Sequence, residues 1–349
     1  MKRNIKKIII RVDGHKRIGM GHLYRTINLA KYIRKHYKYK IIFITKNNKA
    51  SLRLLDRNQF KYFTLQFNIS RKVEAKNIKD IIKAEKPDVI IIDVLKGCFD
   101  KIYMDAFRIN NNVCIVSFID SHRKSIINAD IVFNTSLYQK KEYYKDIEDT
   151  KYYLGFDYLI IPEKHMESQR KIIINRQVRK VLICMGGADH HNLTFKVLKA
   201  IDKSHHDFKC DVVLSSSFFK KTYIERVLKS IRHKVSIYYD VDGLFGLFKT
   251  ADLAITAGGY THVERISSGI PGIVINQLVH QAQLSKMIAK HMATVDLGLY
   301  KNISSQCILK SFNDLVENDD LRKKISKQGI KLVNNRGLEN ISKIIFNQG

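Results

Sequence analysis

The sequence has few of the residues that stabilise small secreted or fibrous proteins. It contains five cysteines in 349 residues, widely spaced and without a C-x-x-C pair, which argues against a disulfide framework or a zinc motif. Only three prolines are present and the 17 glycines follow no period, which excludes collagen-like and flexible-linker compositions. We therefore expect the cysteines to be small buried hydrophobic residues in a reducing cytoplasm.

Long apolar runs are also missing. The apolar stretch after the N-terminus ends at Arg11, which is too short for the core of a signal peptide. Other runs, such as 89–92 and 114–119, have the length of strands and not the roughly 20 residues that span a bilayer. We expect a soluble, cytoplasmic protein with no membrane insertion, although peripheral contact with a membrane is compatible with its charge.

Acidic residues are scarce relative to basic ones. There are 33 Asp and Glu against 62 Lys and Arg, which gives a formal net charge of +29. The basic residues are spread along the whole chain and are not gathered into one block, which favours a compositional bias over a polyanion partner. The Tyr- and Lys-rich stretch 138–158 is interpreted as a solvated passage between domains, and no nucleic-acid partner is expected.

The length and the patterning predict two α/β domains. Short β-branched runs alternate with segments of helical period, which is typical of parallel sheets with helices on both faces. Strands are predicted at 7–12, 41–45, 88–93, 113–118, 180–185, 211–215, 235–238, 253–256 and 272–276. The fold class is thus two doubly wound Rossmann-like domains facing a cleft, over 1–160 and 161–330, with a helix at 331–349 that packs back on the first.

The loop after the first predicted strand contains a candidate anion site and a candidate base. Gly19 and Gly21 allow close approach of a ligand to the backbone, and His22 begins a predicted helix. The helix dipole disfavours a protonated imidazole there, so His22 is the predicted base and Asp13 is predicted to orient its ring. The dinucleotide fingerprint is incomplete, because His22 follows the G-x-G and no acidic ribose partner ends the second strand.

Two further glycine turns follow predicted strands in the second half. The first spans Gly186–Asp189, where Asp189 is expected to cap the next helix, and the second spans Gly258–Glu264. The second loop offers N–H and hydroxyl groups to a diphosphate at a helix N-terminus, and Glu264 is placed to bind a ribose diol.

No metal site and no cofactor are predicted. The Asp240-Val-Asp242 motif resembles a D-x-D metal motif, but its position at a strand end favours helix capping. The histidine pairs 190–191 and 205–206 are adjacent in sequence and not four residues apart, so we expect them to diverge and not to share one ion.

These motifs, taken in order, resemble a known family. They are Arg11-x-Asp13…Gly19-x-Gly21-His22-x-x-Arg25, Gly186-Gly187-Ala-Asp189-x-x-Asn192 and Gly258-Gly259-x-Thr261-x-x-Glu264, together with Asp120, Asn134, Gly155-Phe-Asp-Tyr158 and Arg336-Gly-x-Glu339. The resemblance is to the UDP-sugar hydrolase of pseudaminic acid biosynthesis and its spore-coat polysaccharide relatives, which are similar to the glycosyltransferase that completes lipid II and share its GT-B fold.

The resemblance implies hydrolysis of UDP-2,4-diacetamido-2,4,6-trideoxy-β-L-altropyranose without a metal, with His22 and Asp13 as catalytic residues. It also implies a substrate-binding set: Gly19, Gly21, Arg25, Tyr158, Gly186, Gly187, Asp189, Asn192, Gly258, Gly259, Thr261, Glu264 and Gln277. The chain departs from the family pattern at His15, Pro162 and Leu278. Because these departures flank the expected sugar site, a GT-B glycosyltransferase for an envelope glycan remains the alternative function. A third hypothesis, supported only by the net charge of +29, is a non-enzymatic polyanion-binding protein.

Overall fold

The computed structural model describes residues 7–15, 19–94, 101–109, 112–119, 128–135, 150–164, 173–186, 189, 191–214, 221–239, 241 and 243–346. The chain forms two compact units. Unit 1 comprises Met1–Glu163 and Asn335–Gly349, and unit 2 comprises Lys164–Asn334. Among the described residues, no helix has the length and apolarity needed to cross a bilayer.

Unit 1 is built on a seven-stranded parallel sheet. Its strands are β1 (Lys7–Val12), β2 (Lys40–Lys46), β3 (Lys61–Leu65), β4 (Val89–Asp93), β5 (Cys114–Phe118), β6 (Ile131–Asn134) and β7 (Lys151–Leu154). Its described helices are α1 (Gly21–Tyr37), α2 (Lys49–Arg57), α3 (Arg71–Glu85), α4 (Lys101–Asp105) and, from the end of the chain, α12 (Gly337–Phe346). The strand order is β3-β2-β1-β4-β5-β6-β7.

Unit 2 repeats this plan with six parallel strands. They are β8 (Lys180–Cys184), β9 (Lys209–Leu214), β10 (Lys234–Tyr239), β11 (Leu253–Ala257), β12 (Gly272–Asn276) and β13 (Val295–Leu299), in the order β10-β9-β8-β11-β12-β13. The helices are α5 (Leu193–Ile201), α6 (Lys221–Leu228), α7 (Phe245–Thr250), α8 (Tyr260–Ser267), α9 (Val279–Lys290), α10 (Ser305–Glu317) and α11 (Asp319–Leu332). The predicted fold class of two doubly wound parallel sheets is confirmed.

The central strands are apolar on both faces because helices cover both sides of each sheet. In β1, Ile8 and Ile10 pack in one core cluster with α1, whereas Ile9 packs in the other cluster with α3. All three isoleucines have no exposed surface. This burial on alternate faces explains why the strand is a continuous apolar run and not an alternating pattern.

The C-terminal helix α12 belongs to the core of unit 1. Leu338, Ile341 and Ile345 are buried in the same cluster as Ile8 and Ile10. A Cβ at Gly337 would overlap the backbone of Leu159, so this helix can begin here only with glycine.

Several elements were not predicted, and one interpretation was wrong. The stretch 138–158 is not simply a passage between domains, because Lys151–Leu154 forms the edge strand β7, paired with β6. The edge strand β3 was missed because its side chains are mostly half-exposed or exposed, so it lacks a buried run. The predicted positions Asp120, Gly187, His190, Asp240 and Asp242 lie outside the described residues.

Candidate functional site

In unit 1 the topology brings the end of β4 beside the loop that precedes α1. The chain runs from β1 to β2 on one side and returns to β4 on the other, so the strand order reverses between β1 and β4. Ligands of open α/β sheets bind at the carboxyl edge at such a point. Val12, the last residue of β1, is paired with Asp93, the last residue of β4. His22 is the second residue of α1 and reaches this edge.

The imidazole of His22 is held by the carboxylate of Asp93. Nδ1 of His22 lies 2.7 Å from Oδ1 of Asp93, which is fully buried. Nδ1 also lies 3.1 Å from Nη2 of Arg25, but its contact with Asp93 is shorter. Because an ionised carboxylate only accepts hydrogen bonds, we assign the proton of the neutral ring to Nδ1, which donates to Asp93. The unprotonated ring nitrogen is then Nε2, which is the arrangement that a general base requires.

Arg25 holds the other side of the same carboxylate. Its Nε donates to Oδ2 of Asp93 and its Nη2 donates to Oδ1, both at 2.6 Å. Burial alone would raise the pKa of Asp93, but the positive charge of Arg25 and the contact with His22 lower it to about 2. The family resemblance implies a substrate-binding role for Arg25, and its contacts in the structure show that it also positions Asp93.

The predicted partnership of Asp13 with His22 is wrong. Asp13 instead accepts two hydrogen bonds from the buried guanidinium of Arg11, at 2.6 and 2.8 Å, and one from the backbone N–H of Lys46. Arg11 also donates to Glu74, which in turn accepts from Tyr103. Asp13 is therefore one acid of a buried ion-pair network beneath the loop, and the residue that orients His22 is Asp93.

The remaining predicted residues of unit 1 have local structural roles. Gly19 has a φ of +82°, which favours glycine, and exchanges backbone hydrogen bonds with His15. Gly21 is the first residue of α1. The ring of Tyr158 packs against those of Phe133 and Tyr153 at centroid separations of 5.5 Å, at the edge of the core.

In unit 2 the same topological reversal falls between β8 and β11. Gly186 follows β8 with a φ of +78°, and Gly258 and Gly259 follow β11. A Cβ at Gly258 would overlap the side chains of Asn276 and Gln281, so only glycine fits there. Because β8 and β11 are paired in parallel, the two loops lie side by side at the carboxyl edge of the sheet, as the glycine spacing predicted.

Two of the predicted residues hold these loops together. Gln277 donates from Nε2 to the backbone carbonyl of Met185 at 2.6 Å and so ties the end of β12 to the end of β8. Asp189 accepts from the backbone N–H groups of Leu193 and Thr194, at 2.8 and 2.9 Å, so the predicted cap on α5 is present. Asn192, just before α5, adopts a left-handed conformation with a φ of 53°.

Glu264 is the most unusual carboxyl group of unit 2. It lies in the second turn of α8, three residues after Thr261, and is 8% exposed. No described residue donates a hydrogen bond to its side chain. Burial raises the pKa of Glu264 to about 8, against a weaker opposing effect of Lys164. A buried carboxyl group that accepts no hydrogen bond from the described residues is a candidate ligand-binding group.

The raised pKa of Glu264 predicts a pH-dependent stability. Between about pH 4.5 and 8 the unfolded chain has released this proton while the folded chain still binds it, so the free energy of unfolding should fall as the pH rises through this range. Glu264→Gln should reduce this slope. Urea unfolding between pH 5 and 8 measures this pH dependence of the free energy of unfolding. The control is Asp320→Asn, which removes an exposed carboxylate and should leave the slope unchanged. An equal slope in wild type and Glu264→Gln would show that Glu264 is ionised in the folded protein.

A buried polar network lies behind the glycine loop and was missed in the sequence. Ser285 of α9 donates to Oδ1 of Asn276 at 2.7 Å and lies 3.3 Å from Nδ1 of His262. The amide of Asn276 donates to Asp296 at 2.9 Å. The four residues of this network belong to four different elements, so no local sequence motif predicts the network.

The chain is similar in sequence to three known proteins, although no family model matches it. It is 34% identical over 309 residues to an uncharacterized protein of Methanocaldococcus jannaschii, covering 84% of this chain and 61% of the length of that relative. It is 27% identical to the spore coat polysaccharide biosynthesis protein SpsG of Bacillus subtilis, over 95% of this chain and 96% of that one. It is also 27% identical to the UDP-2,4-diacetamido-2,4,6-trideoxy-beta-L-altropyranose hydrolase of Campylobacter jejuni, over 57% of this chain and 66% of the hydrolase.

Solved structures share the fold at low identity. MurG of Acinetobacter baumannii superposes with a TM-score of 0.71 at 12% identity, covering 98% of this chain and all of MurG. The UDP-GlcNAc 2-epimerase of Neisseria meningitidis, bound to UDP-GlcNAc, gives 0.64 at 15% identity, covering 97% of this chain and 99% of the epimerase. The fold of the chain is therefore the GT-B fold of such glycosyltransferases and epimerases.

Proposed function

We propose that the protein is a UDP-sugar-processing enzyme and, more narrowly, a hydrolase that releases UDP from a UDP-diacetamido-trideoxyhexose. The observation that carries this proposal is the His22 ring, which is fixed by an ionised carboxylate with Nε2 as its basic nitrogen. The similarity to SpsG and to the Campylobacter hydrolase supports the substrate class and a role in surface-glycan biosynthesis.

The reaction needs one base and donors for the diphosphate. Nε2 of His22 would take a proton from water, the water oxygen would bond to the anomeric carbon, and the bond from that carbon to the diphosphate oxygen would break. UDP then leaves with the electron pair, and the ionised Asp93 stabilises the imidazolium. Because UDP is a good leaving group, a second carboxylate of the kind used by glycosidases is not required.

The nucleotide is assigned to unit 2. The backbone N–H groups at the start of α8 and the turns at Gly186 and Gly258 suit a diphosphate. Glu264 is assigned to the ribose hydroxyls, because a buried carboxyl group to which none of the described residues donates gains most from a ligand donor.

The experiment that tests the proposal is an assay of UDP release. The full chain is incubated with a panel of UDP-sugars, with and without lipid-linked or soluble sugar acceptors. UDP and free sugar in equal amounts without an acceptor would support the hydrolase. UDP release that requires an acceptor would identify a glycosyltransferase instead, and release from no UDP-sugar would remove the proposal.

Turnover should survive metal chelation. In the part of the chain that the structure describes, the one group of three metal-ligating side chains is His205, His206 and Glu317, which lies away from the glycine loops of unit 2. We therefore expect the same kcat with and without EDTA in the UDP-release assay, because the proposed chemistry uses a histidine base and backbone donors. A loss of turnover in EDTA that Mg²⁺ or Mn²⁺ restores would show that Asp240 and Asp242 had been misinterpreted.

A further inference from the structure

Three potential metal ligands come together in unit 2, outside the proposed active site. His205 and His206 lie in the connection between α5 and β9, and Glu317 is the last residue of α10. The Nε2 atoms of His206 and His205 lie 3.0 and 3.7 Å from Oε1 of Glu317. The expectation that adjacent histidines diverge is wrong for this pair, because the chain bends here and brings the two ring centroids to 3.9 Å.

The backbone around His206 is fixed on both sides. Its N–H donates to Oγ of Ser204, and its carbonyl accepts from Nε2 of His233 at 2.9 Å. Ser204 is fully buried and donates to Asn313 of α10 at 2.7 Å. The histidines are thus attached to the same helix that carries Glu317. Such supporting hydrogen bonds orient the ligands of metal sites.

The surroundings of Glu317 are acidic in an otherwise basic chain. A surface pocket beside it is lined in addition by Asp314, Asp319 and Asp320. Lys323 pairs with Asp319 and Asp320 at 2.9 and 3.1 Å and offsets part of this negative charge. Negative side chains around the carboxylate lower the cost of placing a divalent cation there.

We propose that His205, His206 and Glu317 bind a divalent transition metal of the zinc class. Two imidazoles and one carboxylate form a common set of three protein ligands for Zn²⁺, with water at the fourth position. Ligand atoms around a tetrahedral zinc ion are about 3.3 Å apart at ordinary bond lengths. The three atoms here already lie within 4.8 Å of one another, so small side-chain rotations close the site.

The metal would stabilise the fold and would not take part in the proposed reaction. The connection that carries both histidines precedes β9, so it lies at the amino edge of the parallel sheet. The glycine loops lie at the opposite, carboxyl edge. A bound ion would tie this connection to α10, and a ligand that binds only the folded state raises its stability.

Zinc titration calorimetry on the EDTA-stripped and dialysed full chain tests the site. We expect one saturable site per chain, with affinity weakened by about 10–100-fold or more in His206→Ala and in Glu317→Gln. His291→Ala removes an exposed histidine outside the cluster and should leave the affinity unchanged. Thermal unfolding should shift upward with ZnCl₂ in the wild type and in His291→Ala, and much less in the other two variants.

Two results would overturn the site. One is the absence of saturable zinc binding in the micromolar range, which would leave an ordinary surface ion pair between His206 and Glu317. The other is zinc binding of equal affinity in wild type, His206→Ala and Glu317→Gln, which would place the ion elsewhere. Neither the calorimetry nor the thermal unfolding uses turnover, so both test the metal site independently of the proposed hydrolase activity.

Discussion

His22→Ala should lower kcat for UDP release by about 10²–10⁴-fold, which is the usual contribution of a general base. Alanine removes the nitrogen that would accept the proton of water but leaves the loops of unit 2 intact, so the affinity for UDP should change little. The rate of the wild type should also fall on the acid side of neutrality, because a protonated ring cannot accept a proton. Since the pKa of Asp93 is about 2, Asp93 stays ionised across that range and does not cause this fall.

The matched control for this variant lies on the same helix. His36 is near the end of α1, where its Nε2 lies 2.7 Å from Oε1 of the half-buried Glu163. His36→Ala should therefore retain kcat, and UDP affinity by calorimetry should be unchanged in both variants. A His22→Ala enzyme with near-normal turnover would rule out the base and would favour a transferase or a non-catalytic protein.

The glycine loops could be predicted from the sequence because each is a local signal. A short apolar run followed directly by a glycine turn, as at Cys184–Gly187 and Thr256–Gly259, places the turn at the carboxyl end of a buried strand. Parallel strands all end at the same edge of a sheet, so the sequence also predicted that the two glycine loops lie at one edge. The buried neighbours of these loops, such as Ser285 behind Asn276, could not be predicted, because they are set by side-chain packing between distant elements.

The partner of His22 illustrates the same limit. Asp93 is 71 positions away in the sequence, and it reaches His22 only because β1 pairs directly with β4 in the register that sets Val12 beside Asp93. The sequence did contain one signal for this partner, because Asp93 is a carboxylate at the end of a fully buried strand. Asp13 lies in the same loop and is nearer in sequence, but the buried guanidinium of Arg11 binds both of its oxygens. Register and burial therefore decided the pairing, and proximity in sequence did not.

That pairing makes Asp93→Asn the second variant with a large expected effect. The amide has nearly the same shape, but its NH₂ group can donate to Nδ1 of His22 and so favour the tautomer in which Nε2 carries the proton. It also has no negative charge to stabilise the imidazolium or to balance Arg25. We expect kcat to fall by about 10²-fold or more, as for other histidine bases that lose their carboxylate partner.

The comparison that isolates this effect uses a second carboxylate of unit 1 that is paired with an arginine, the half-exposed Asp130. Asp130 precedes β6, accepts the N–H of Ile115 and pairs with Arg108 at 2.9 Å, so Asp130→Asn also breaks an Asp–Arg pair but at the opposite edge of the sheet. Both variants should lose some thermal stability, whereas only Asp93→Asn should lose turnover, with KM and UDP affinity little changed. If the two variants lost kcat to the same extent, the loss would reflect damage to unit 1, and Asp93 would have no part in orienting the base.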